Sequence, residues 1–127
     1  MAQYTPPLRD MQFVMHEVLN VVEELRQLPP HADVDADTIN AVLEEAGKFA
    51  AGVLSPINGS GDHEGARWQD SSVTMPEGFM VAYRQFVENG WNGIGCEPDF
   101  GGQGMPKVVV AAVQEMWKAS NMAFSLC

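Results

Sequence analysis

The sequence predicts an all-α fold, an irregular bundle of four to five helices with a long Gly-rich loop. Two observations predict it. Apolar residues recur at spacings of three and four in several separate runs, the signature of helices with one buried face. Between two of those runs, the stretch from Gly90 to Pro106 collects six of the chain's twelve glycines and two of its eight prolines, so it reads as a shaped loop joining helices.

The first helix is expected to start at Thr5-Pro6-Pro7, with threonine as cap and proline in the first turn. Leu8, Met11, Met15, Val18, Val22 and Leu25 define its apolar face, and Pro29-Pro30 ends it. The helix is short and edge-like, so it reads as a strap over a neighbour rather than a core element. Residues 1–33 are therefore set apart as an N-terminal extension, and residues 34–127 as the main helical domain.

His31 to Asp37 forms an acidic linker, with Asp37 as the expected cap of the second helix. Ile39, Val42, Leu43, Ala46, Phe49, Ala50, Val53 and Leu54 hold the helical period through four turns. Glu44 and Lys48 stand at the i,i+4 spacing of a favourable pair. Ser55-Pro56 is expected to close this helix, and Asn58 to Ser72 to be a surface loop tacked down by Trp68.

Thr74-x-x-Glu77 has the pattern of a capping box. Phe79, Tyr83, Phe86 and Val87 then share a helical face, which stops at Asn89-Gly90. In the loop, Trp91 and Phe100 carry too much apolar surface to be left in water. Pro106 opens a fourth helix, with Val109, Val113, Met116 and Trp117 on one side. Ser120-Asn121 breaks it, and a further apolar helix opens at Met122 and runs to Cys127 without a stop signal, as though truncated.

Composition bounds the function. The chain has 7 basic and 17 acidic residues, a formal charge of −10, so it offers no basic face for nucleic acid or for an anionic membrane surface. No apolar run approaches the ~20 residues of a membrane span, and no secretory signal is read at the N-terminus. Two cysteines far apart, Cys96 and Cys127, give neither a disulfide framework nor a zinc site, which fits a reducing cytoplasm.

The candidate constellations are weak. Gly93-Ile94-Gly95 starts like a dinucleotide fingerprint, but its last glycine position is Pro98 and no strand precedes it. His16, His31 and His63 have no converging ligands around them, so no metal site is read. Glu44, Glu45 and Glu115 read as solvated helix carboxylates rather than general bases. Cys96 stands beside Glu97, which disfavours a thiolate.

Gly90-Trp91 followed by Glu97-Pro98-x-x-Gly101-Gly102-x-Gly104-x-Pro106 resembles the N-terminal region of an acyl-CoA dehydrogenase. In that family a helix ends at Gly-Trp, a Pro-x-x-Gly-Gly-x-Gly turn follows, and a new helix begins. Tyr4-Thr-Pro-Pro-Leu8-Arg-Asp-Met-x-Phe13-Val, Gly61-Asp-x-Glu64-Gly65 and Val73-Thr74-x-Pro76-x-Gly78-Phe79 resemble a large-subunit-type branch of it.

The resemblance implies an FAD-dependent oxidoreductase that removes two hydrogens across the Cα–Cβ bond of an acyl-CoA thioester, passing electrons to an acceptor flavoprotein. A homo-oligomer is expected. In the family a carboxylate takes the α-proton, FAD takes the β-hydride, and both stand mainly in domains beyond the N-terminal one. The resemblance therefore assigns no catalytic, flavin-binding or metal-binding residue in these 127 residues, and expects the chain alone to hold no FAD and to be inactive. It implies acyl-chain contact around Ala123, Phe124 and Cys127. The alternative is a stand-alone helical module that binds a partner protein. The uncapped apolar segment Met122–Leu126 weighs against that alternative.

Overall fold

Prolines decide where the first helix can begin. A residue before proline is pushed out of the helical region, so Thr5 and Pro6 stay outside the helix. α1 (Leu8–Phe13) then starts at Leu8, and no side chain caps it. This computed structural model describes residues 3–126.

α1 runs into a wide π turn, Val14–Val18. Asn20 then takes a left-handed conformation, φ 49°, which asparagine tolerates better than most residues. α2 (Val21–Arg26) follows, and a short 3₁₀ turn covers Pro29–His31. The expected single helix is thus two helices joined at a kink. It is also no mere strap. Met11, Met15, Val21 and Leu25 are buried in the same cluster as Ile39, Leu43, Val109 and Val113. Ahead of α1, the Tyr4 backbone N–H donates to Ser55 Oγ at 3.2 Å. Partial burial, and then the Glu115 carboxylate, hold the Tyr4 phenol above its usual pKa.

α3 (Ala36–Phe49) is capped by Asp35 rather than Asp37: its carboxylate accepts the Thr38 N–H at 2.7 Å. Thr38 is the third residue after the cap, a position that a capping side chain reaches. Lys48 pairs with Glu45 at 2.6 Å, one residue nearer than the expected Glu44 partner, and the pair is exposed.

Ser55-Pro56 does not close this helix. The backbone widens into a π turn at Ala50–Leu54, and α4 (Ser55–Glu64) continues. Proline cannot donate, and its ring crowds the preceding turn. The Ser55 N–H bonds to the Ala50 carbonyl, so the widened turn absorbs that mismatch and the helix runs on.

The expected loop after Asn58 is therefore half helix and half hairpin. β1 (Arg67–Gln69) pairs antiparallel with β2 (Ser72–Thr74), with Trp68 opposite Val73. Asp70 and Ser71 both take positive φ, the geometry of a tight two-residue hairpin turn. Thr74 lies in β2 and caps nothing; instead the Glu77 N–H donates to Glu64 Oε2 at 3.0 Å. Trp68 tacks nothing down, being 73% exposed.

α5 (Phe79–Glu88) ends as expected. Asn89 terminates it and Gly90 takes φ 77°, the left-handed stop that glycine adopts without strain. Two short 3₁₀ turns, Trp91–Gly93 and Pro98–Phe100, shape the loop. α6 (Lys107–Ser120) buries Val109, Val113, Met116 and Trp117, the face read from the sequence. α7 (Met122–Ser125) follows after a single residue.

The fold is thus helical, with α3 and α6 at its centre and one small hairpin at the edge. Among the described residues, no helix is long and apolar enough to cross a membrane.

Candidate functional site

α6 and α7 meet at Asn121, the most buried polar side chain among the described residues. Its Nδ2 donates to the Leu54 carbonyl at 3.1 Å, and its Oδ1 accepts the Phe124 N–H at 3.1 Å. One amide thus caps α7 and ties it to the widened turn in the long α3–α4 helical run. Both halves of the side chain are satisfied, as burial demands.

That tie sets Phe124 against the aromatic residues of α5. Its ring stands 6.2 Å from Phe79 and 5.7 Å from Phe86, centroid to centroid. Trp117 joins the same cluster, edge-on to Phe49 at 5.2 Å, Phe86 at 6.0 Å and Trp91 at 5.2 Å. Edge-to-face packing at these distances is the favoured aromatic geometry. Trp91, at the start of the glycine loop, is half-buried here as the sequence required.

The cluster floors a groove of about 640 Å³ between α5, the glycine loop and α6–α7. Tyr83, Phe86, Trp91, Trp117 and Phe124 make its apolar wall. The charged residues that line it are Lys107 and Lys118, with no carboxylate. In a chain of charge −10 this is a local reversal of sign. Such a groove suits an apolar chain carrying an anionic head group.

The glycine loop is not a phosphate cradle. The N–H groups of Gly93, Cys96, Gly102, Gln103, Gly104 and Met105 all donate to carbonyls of the loop itself, at 2.9–3.2 Å. Gly102 lies so close to the Cys96 carbonyl that any side chain there would collide with it. These six donors are spent folding the loop on itself and are not available to a flavin pyrophosphate. Phe100 is 84% exposed, against the sequence expectation. The loop closes through those backbone bonds without it.

Of the three residues picked from sequence, Phe124 lines the groove and Ala123 is exposed. Cys127 lies outside the described residues. Sequence reasoning passed over Tyr83, Trp117, Lys107 and Lys118 as groove residues. Phe79, Tyr83 and Phe86 were legible as one face, but nothing local says that this face meets Phe124. No group of three metal-binding side chains stands together among the described residues. Cys96 is exposed at the groove's edge.

Two curated acyl-CoA dehydrogenases align with this chain over nearly its whole length, and the chain belongs to that family. The 3-methylmercaptopropionyl-CoA dehydrogenase of Ruegeria pomeroyi is 38% identical over 124 residues, covering 98% of this chain and 21% of that protein. The broad-specificity linear acyl-CoA dehydrogenase FadE5 of Mycobacterium tuberculosis is 33% identical over 125 residues, covering 97% of this chain and 20% of that protein. The chain spans about a fifth of the length of these curated relatives. No protein-family profile matches it.

Proposed function

We propose that this chain is the substrate-side helical domain of an FAD-dependent acyl-CoA dehydrogenase acting in fatty-acid or related acyl-CoA catabolism, and that it supplies part of the acyl-binding wall. The observation that carries this reading is similarity to two acyl-CoA dehydrogenases over nearly the whole chain. The lysine-rimmed aromatic groove supports it, because an acyl-CoA joins an apolar chain to phosphate groups. Phe124, Tyr83 and Trp117 would meet the acyl chain, with Ala123 and Cys127 beside them. Lys107 and Lys118 would face the anionic head.

Residues 1–33 form the extension that distinguishes this branch, and residues 34–127 the helical domain proper. FAD, when bound by a complete enzyme, accepts the β-hydride. No residue here is assigned to that step or to removal of the α-proton. The same reading makes the complete enzyme a cytoplasmic homo-oligomer that passes electrons to an acceptor flavoprotein.

Trp91 and Trp117 border the groove and report on it directly. Titration with a saturated acyl-CoA is expected to change their fluorescence saturably. Coenzyme A without the acyl chain gives a weaker response, and Phe124→Ala weakens the acyl-CoA response. Equal responses to both compounds, or none, would remove the acyl-wall reading.

A further inference from the structure

We propose that Asn121 is a positioning residue for the acyl wall: its buried amide holds Phe124 in the lysine-rimmed groove, and through that ring it sets how strongly an acyl-CoA is preferred over coenzyme A. The inference rests on the acyl-binding reading above. It adds a residue that does not itself line the groove.

α7 has little of its own to hold it. It is four residues long, and an isolated turn of helix does not persist in water. Met122, Ala123 and Leu126 are exposed, so Phe124 is the side chain through which this turn meets the aromatic rings of α5. Ser125 Oγ donates back to the Met122 carbonyl, within the turn. Among the described residues, the bond from Asn121 Nδ2 to the Leu54 carbonyl is the hydrogen bond that ties the α6–α7 junction to a distant part of the chain.

The tie acts on direction rather than on bulk. Asn121 and Leu54 are both buried. The Asn121 backbone is extended, at φ −159° and ψ 91°, so the chain changes course between α6 and α7 at this residue. An apolar side chain here would fill space, but apolar packing is non-directional, whereas a hydrogen bond fixes distance and angle. One amide fixes two of each: Oδ1 sets the start of α7, and Nδ2 sets where that start lies against the long α3–α4 run. Phe124 stands three residues on, so its ring inherits both constraints. A binding wall needs support of this kind from behind, because its side chains must be held closely to match a ligand.

The test is tryptophan fluorescence of the chain, titrated separately with octanoyl-CoA and with coenzyme A. Asn121→Ser keeps an oxygen that can cap α7 and removes the amide donor. It should weaken octanoyl-CoA binding about tenfold and leave the response to coenzyme A little changed. Asn121→Thr is a second variant of the same kind, and thermal melts check that each folds. Phe124→Ala also weakens octanoyl-CoA binding, and adding Asn121→Ser to it should have little further effect, because the amide acts through that ring. Without ligand, the nuclear Overhauser contact between the Phe124 and Phe86 rings should be present in the parent chain and fade in Asn121→Ser.

Equal weakening of both ligands would reduce Asn121 to a structural residue and overturn the inference. Unchanged octanoyl-CoA binding, full additivity with Phe124→Ala, or a retained Phe124–Phe86 contact would each overturn it too. In all of these cases the parent chain still separates octanoyl-CoA from coenzyme A, so the acyl-wall reading survives. A parent chain that does not separate them removes that reading, and this inference with it.

Discussion

Asn121 bonds two backbone groups where α7 meets the long α3–α4 run. The Leu54 carbonyl lies where the helix widens, and the Phe124 N–H is one of the orphan donors at a helix start. Asn121→Ala removes both bonds and leaves the Phe124 N–H without its cap, so it should cost about 1–3 kcal/mol. Urea denaturation measures it, and an effect within half a kcal/mol would show that the tie is not structural. The same variant should loosen Phe124 from Phe86 and weaken any ligand response of the groove. None of this was legible from Ser120-Asn121, which announced a helix break and nothing more. The partner, Leu54, stands 67 positions away. Phe100 and Trp68 failed in the opposite sense: bulk alone argued for burial, but the backbone of each segment closes by its own hydrogen bonds.

Helices were read well where a buried face repeats over several turns, as in α3, α5 and α6. Their ends were read less well, because caps compete locally. Asp35 and Asp37 are both plausible caps by type, and only the backbone decides. Asp35 wins, and hydrogen bonds from the Thr38 side chain and then the Thr38 backbone N–H hold its carboxyl below the usual range. A carboxyl that is more acidic folded than unfolded stabilises the fold above its unfolded value. That contribution is lost as pH falls through the folded value, below about pH 4. Asp35→Ala should therefore melt lower than the parent at pH 7, with the gap closing towards pH 3. A gap that is constant with pH would contradict the carboxylate cap. The two π turns could not be foreseen, since no residue type marks them. One lies before Pro56 and lets a helix continue where proline signals a stop. The hairpin was missed because Asp70-Ser71 lacks the glycine that usually announces such a turn.

At the scale of the molecule, two apolar grooves carry opposite signs. One has lysines at its rim, and the other has carboxylates. The glycine loop joins α5 to α6 and sets Trp91 against Trp117, so that it shapes the first groove without offering donors to a ligand. The family was legible in the sequence from its Gly-Trp stop and glycine turn, but the groove was not, because it is assembled from residues between Tyr83 and Leu126 that no local pattern links. On the function proposed above, this domain contributes to the substrate side of a dehydrogenase whose flavin and catalytic carboxylate lie elsewhere. The direct test is the visible absorption spectrum of the purified 127-residue chain after incubation with FAD and removal of the excess, followed by addition of acyl-CoA and an artificial electron acceptor. No retained flavin band and no acceptor reduction are expected. Stoichiometric flavin with acyl-CoA-dependent reduction would contradict that reading.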